Sequence, residues 1–185
     1  MAEDIKDYIH ALAVRARAAS AALVRLTADE KNAALQKVAD ALEAHLAAIA
    51  SANAADVARA KAAGLASALV DRLTLTDARF AAMVEGVRTV ARQADPVGET
   101  LWTRERPSGI TIRKVRVPFG VVAVVFESRP NVFVDTAALC LKTGNAVILR
   151  GGKEAFETNR ALAAAVREGL ESLEGLESLE GLESL

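Results

Sequence analysis

Two short polar stretches hold most of the residues that could do chemistry: Glu127-Ser128-Arg129-Pro130-Asn131 and Arg150-Gly151-Gly152-Lys153. Together they offer two guanidiniums, an ammonium, a neutral amide and glycine N–H groups on backbone that a ligand can approach closely. Such donors suit an anion. Phosphate is the obvious ligand, because guanidiniums grip it bidentately and successive backbone N–H groups cradle it. The competing reading is that Arg129 and Arg150 only pair with Glu127 and Glu154. Cys140 is the single thiol. It lies mid-helix among Ala138, Leu139 and Leu141, with no histidine or helix N-terminus to lower its pKa, and reads as a buried structural cysteine rather than a nucleophile. His10 and His45 read as ordinary helix-surface residues.

The elements around these stretches are legible. Val121-Val122-Ala123-Val124-Val125-Phe126 is a continuous β-branched run, which suits a strand buried on both faces of a parallel sheet. A helix is predicted over Val132–Thr143, apolar nearly all round, with Asn131 able to cap it and Gly144 as its left-handed stop. Ala146-Val147-Ile148-Leu149 is a second short strand, and Glu154–Glu168 a further helix. Strand–helix–strand of this length is a βαβ unit. Ligands of open α/β sheets bind outside the carboxyl ends of the strands, where both polar stretches fall.

The 185 residues fit one domain or slightly more, and 52% hydrophobic with 25% charged is a globular composition. A net charge of −1 argues against nucleic acid or an anionic membrane as the main partner. One cysteine excludes an internal disulfide and a cysteine-based metal cluster, and no metal site is expected. No run is long enough to span a bilayer and the acidic start does not resemble a signal peptide, so a cytoplasmic location is expected. Neither GxGxxG after a strand nor GxxxxGK[ST] occurs, which disfavours the usual Rossmann fingerprint and a nucleoside triphosphatase.

Residues 3–92 read as successive helices. Ile5, Ile9, Leu12, Ala13 and Ala16 mark the first. Thr27 with Glu30 forms a capping box for the second, whose single apolar stripe is Leu35, Val38, Leu42, Leu46 and Ile49. Ser51–Ala63 is another, stopped by Gly64, and Thr76 caps a helix running to Arg92. Asp95–Glu99 is a turn. Trp102–Pro107 and the alternating run Ile110–Val117, joined by Pro107-Ser108-Gly109, read as two extended segments, the second a half-exposed strand.

Arg116–Val122, Phe126–Val132 and Ala138–Gly152 together resemble the γ-glutamyl phosphate reductases, a family within the aldehyde dehydrogenase superfamily. Lys31–Leu35, Asp71-Arg72-Leu73 and Asp95–Glu99 extend the resemblance over roughly residues 3–168. It implies an α/β fold: N-terminal helices followed by the start of an aldehyde-dehydrogenase-like, Rossmann-type parallel sheet, here truncated. The implied layout is a helical part of the cofactor domain over 1–94, strands of an assembly arm over 95–117, and an NADP-binding βαβ segment over 118–168. The implied activity is NADPH-dependent reduction of L-glutamyl 5-phosphate to L-glutamate 5-semialdehyde, the second step of proline biosynthesis, in a homo-oligomer. The nucleophilic cysteine of such enzymes would lie in a domain beyond this chain, so the chain alone is expected to be inactive; a βαβ unit lacking later parallel strands exposes a buried-type edge, so it is also expected to be marginal or prone to aggregate. By the same resemblance Asn131 matches an oxyanion-hole asparagine, in competition with its capping role. Arg150 matches a basic residue that reaches the adenosine ribose or its 2′-phosphate. Ser128, Arg129, Gly151, Gly152 and Lys153 would line the cofactor groove. The alternatives are a non-catalytic NADP-binding module and a helical interaction protein. Residues 168–185 are Glu-Gly-Leu-Glu-Ser-Leu three times over, a repetitive tail expected to be a frayed helix or disordered, because each glycine costs about 1 kcal/mol relative to alanine in a helix.

Overall fold

A computed structural model describes residues 2–171, with side chains from Ile5 onward. Five helices come first: α1 (Ala2–Leu23), α2 (Ala28–Ala44), α3 (Leu46–Ala62), α4 (Ser67–Leu73) and α5 (Asp77–Arg92). The capping box forms: Thr27 Oγ1 accepts from the Glu30 N–H at 3.3 Å, and Glu30 Oε2 accepts from the Thr27 N–H at 2.7 Å. Thr76 caps α5 in the same way, accepting from the Arg79 N–H at 3.2 Å. One expectation fails. The stripe from Leu35 to Ile49 is not one helix: the backbone leaves the helix at His45 and Leu46 is 41% exposed. Beyond that break, α3 buries Ile49, Asn53, Asp56 and Ala60, a stripe half made of polar residues that a hydrophobicity pattern cannot reveal. In α1 only the second half is covered. Leu12, Ala19 and Leu23 are buried, whereas Ile5 and Ile9 are exposed.

The core lies where α2 packs between α5 and α7 (Phe156–Leu170), with Leu35, Val38, Leu42, Val84, Val87, Leu162 and Val166 at its centre. Each such side chain contributes about 1.5–3 kcal/mol by leaving water. Two polar clusters are buried with it. Asn53 Nδ2 donates to the Leu73 carbonyl at 2.9 Å and to Thr158 Oγ1 at 3.2 Å, while its Oδ1 accepts from the Leu75 N–H at 2.8 Å. Beside it, Asp56 Oδ2 accepts from both the N–H and the hydroxyl of Thr158, at 2.8 and 2.6 Å. A carboxylate from α3 therefore caps the amino end of α7 from outside that helix. In the second cluster Lys31 pairs with Asp95, and Lys142 donates to Asn32 and to the Ala91 carbonyl. Burial pulls the Lys142 ammonium below its ordinary pKa. For the Asp95 carboxyl burial acts upward, but the Lys31 and Val97 hydrogen bonds outweigh it and the net shift is downward.

An antiparallel hairpin follows, β1 (Thr100–Glu105) with β2 (Thr111–Val115). Both strands are exposed on both faces, not on one face only. Nothing among the described residues packs on either side. Arg104 lies 5.0 Å from the Trp102 ring centre.

β3 (Val121–Val125), α6 (Pro130–Lys142) and β4 (Ala146–Arg150) form the βαβ unit, with Val121 opposite Ala146 and Val125 opposite Arg150 in a parallel pair. β3 is not buried on both faces. Val122 and Val124 are partly covered, while Val121, Ala123 and Val125 are exposed, because β4 is its one partner strand among the described residues. α6 begins two residues earlier than expected. Arg129 is its N-cap and Pro130 its first residue, where the missing N–H costs nothing, so Asn131 is not the cap. Gly144, at φ 69°, ends it as expected: its N–H meets the Leu141 carbonyl at 3.0 Å and the Asn145 N–H meets the Cys140 carbonyl at 2.8 Å. One tight turn over Lys153–Ala155 leads into α7. α7 runs through Leu170, which is buried, so the first residues of the hexapeptide repeat are helical. The expectation for residues 172–185 lies outside the described residues.

Candidate functional site

The parallel register places the ends of β3 and β4 together. Val125 is opposite Arg150, and the Phe126 N–H donates to the Arg150 carbonyl at 3.0 Å. The two polar stretches therefore meet at one edge, as the strand order requires. Between them and the α3–α4 corner lies a cavity of about 480 Å³. Leu65, Leu69 and Arg72 form one wall; Phe126, Glu127, Ser128 and Arg129 form a second; Arg150, Gly152 and Glu154 form the third.

Arg129 and Arg150 do not pair with Glu127 and Glu154. Glu127 instead meets Arg72 at 3.3 Å, and Ser128 Oγ donates to Glu154 Oε2 at 2.8 Å. The Ser128 bond, followed by its own backbone N–H and the Lys153 and Arg150 charges, holds the Glu154 carboxyl below its ordinary pKa. Among the described residues, neither Arg129 nor Arg150 has an ion-pair partner. The two glycines differ in role. A Cβ on Gly152 would run into Ser128 Oγ and meet Glu154 Oε2 at 2.9 Å, so that glycine makes room for the Ser128–Glu154 bond in the cavity wall. Gly151 is buried, and a Cβ there would strike the Asn159 amide behind the wall. Lys153 is exposed and stands outside the cavity lining.

A second cavity, of about 430 Å³, adjoins the first and shares Arg72 and Arg129 with it. Its other walls include Asp71, Arg79 and Met83 from α4 and α5, and Pro130, Asn131 and Asp135 from α6. Arg79 is held in place, its guanidinium chelating Asp71 at 3.0 Å and donating to the Thr74 carbonyl at 2.9 Å. Asn131 is exposed to this cavity, one turn from Asp135, whose Oδ2 accepts from Asn131 Nδ2 at 3.1 Å. Cys140 faces neither cavity. It is 8% exposed, and burial pushes its thiol pKa up. Leu65, Leu69, Arg72 and Asp135 were not singled out by spacing. Arg72 stood within a matched string, but nothing local in the sequence ties α4 to the end of β3.

The sequence profile of the aldehyde dehydrogenase family matches residues 2–173, and the chain belongs to that family. Two solved structures within it are close: γ-glutamyl phosphate reductase from Thermotoga maritima, 42% identical with a TM-score of 0.85 over 88% of this chain, and γ-glutamyl phosphate reductase from Saccharomyces cerevisiae, 39% identical with a TM-score of 0.86 over 94%. They bear out the resemblance read from residues 116–152. The chain spans 39% and 45% of the lengths of those two proteins. A putative aldehyde dehydrogenase from Bacillus subtilis, 15% identical with a TM-score of 0.66, shares the fold. No described helix is long and apolar enough to cross a membrane.

Proposed function

We propose that this chain forms the cofactor half of an enzyme that reduces L-glutamyl 5-phosphate to L-glutamate 5-semialdehyde and phosphate, as in proline biosynthesis, with NADPH supplying the hydride. The observation that carries the reading is the cavity at the ends of β3 and β4, lined by Arg129 and Arg150, neither of which has an ion-pair partner among the described residues. In this reading Arg150, which lines the cavity, grips a 2′-phosphate, as an arginine can bidentately. Ser128 and the Gly152 backbone line the groove beside it, and Lys153 adds positive charge at its rim. Asn131 presents an amide to the adjoining cavity, where an uncharged donor stabilises charge developing on an acyl oxygen. Cys140 is too buried to attack, so in this reading no thiol of this chain is the nucleophile and the chain alone is read as inactive. The enzyme is cytoplasmic and homo-oligomeric in this reading, with the β1–β2 hairpin as the assembly arm.

Glu154 favours a second reading, because a carboxylate in this cavity suits the ribose hydroxyls of NAD. Gly152→Val is expected to weaken dinucleotide binding about tenfold or more, by calorimetry, and to lower the thermal midpoint as well, since its Cβ would strike Ser128 Oγ and Glu154 Oε2 and break the bond between them. The activity is tested by grafting residues 2–171 into a full-length γ-glutamyl phosphate reductase in place of its own segment. A folded chimera should form NADPH from glutamate 5-semialdehyde, inorganic phosphate and NADP. A folded, inactive chimera would overturn the assignment.

A further inference from the structure

The second cavity holds a carboxylate with no cation. Asp135 is half-buried on α6, and among the described residues it makes no ion pair. Among the described residues its hydrogen-bond partner is the neutral Asn131 amide at 3.1 Å. Gly86 of α5 faces it, near enough that a Cβ there would lie 3.8 Å from Asp135 Oδ1, so at that position α5 brings no side chain to it. The guanidinium of Arg79, in the same cavity, is spent on Asp71 and Thr74. A half-buried carboxylate without a counter-charge is costly, and burial accordingly pushes the Asp135 pKa up. The unpaired guanidinium of Arg129 lines the same cavity.

We propose that Asp135 binds the α-ammonium group of the substrate, while Arg129 faces one of its anionic ends, so that the cavity selects an amino acid carrying a second anion over an acyl phosphate lacking the amine. This rests on the substrate class proposed above and adds the residue that reads its amino group. The ligand's ammonium supplies the charge that Asp135 lacks, and Asn131, bonded to the same carboxylate, is thereby set in position when the amine is in place. A purely structural Asp135 would orient Asn131 with no regard to the amine.

The test is calorimetry on the whole chain with two probes. One is the phosphonate analogue of L-glutamyl 5-phosphate in which methylene replaces the bridging oxygen; the other is the same molecule without its amino group. Wild type should bind the amino compound about tenfold or more tightly than the other, and Asp135→Asn should bind both alike. The wild-type comparison stands without any variant. A further readout separates the roles: Asp135→Asn should raise the thermal midpoint of the unliganded chain, because it removes an uncompensated charge while keeping an acceptor for Asn131. Equal wild-type affinity for the two probes, a preference that survives in Asp135→Asn, or failure of both probes with a chain that binds NADPH would overturn the inference. A folded chain that binds neither the probes nor NADPH would overturn the underlying reading as well.

Discussion

Asp56→Ala is expected to destabilise the chain by about 3 kcal/mol, a fall of roughly 6–12 °C in thermal midpoint for a domain of this size. The carboxylate is fully buried and does three things at once. It accepts from the Thr158 N–H, it accepts from the Thr158 hydroxyl, and it pairs with Arg59. Removing it leaves a donor unsatisfied at the amino end of α7, where the helix dipole already favours a negative charge. It also leaves a cavity beside Asn53. Asp56→Asn keeps an acceptor for Thr158 and should recover part of the loss. A midpoint for Asp56→Ala within 2 °C of wild type would show that the α3 carboxylate is not what fixes α7.

Gly169→Val is expected to cost about 3 kcal/mol, in spite of the roughly 1 kcal/mol by which glycine itself weakens a helix. A Cβ at this position would lie 2.5 Å from Val38 Cα and 2.7 Å from Val38 N. Both are backbone atoms, so no rotamer change relieves the contact, and α2 and α7 must separate along the centre of the core. Gly86→Ala is the matched control. Its Cβ would meet Asp135 Oδ1 at an ordinary 3.8 Å, and the variant should be neutral or slightly more stable. Equal midpoints for Gly169→Val and Gly86→Ala would contradict the close approach of α2 and α7.

What the sequence made legible is what depends on local pattern. The Thr27–Glu30 box, the Thr76 cap, the Gly144 stop and the two strands of the βαβ unit each have a signature within a few residues, and each forms. The meeting of the two polar stretches followed from parallel strand order alone. What stayed hidden depends on distant partners. The buried face of α3 is half polar, so no apolar pattern marks Asn53 and Asp56, which are held by Leu73, Leu75 and Thr158 from elsewhere in the chain. The partner of Glu127 is Arg72, 55 residues away, not Arg129 beside it in sequence. Asn131 lost its capping role because Pro130 took the first helical position. The burial of β3 was overestimated because a β-branched run shows what a strand can bury, not whether a neighbour covers it.

The most direct test of the central claim is calorimetric titration of the folded chain with NADPH and with NADH, in wild type and in Arg150→Ala. The account predicts that NADPH binds about tenfold or more tightly than NADH, and that Arg150→Ala abolishes the difference. A folded chain that binds neither dinucleotide, or binds NADH as tightly as NADPH, would contradict it.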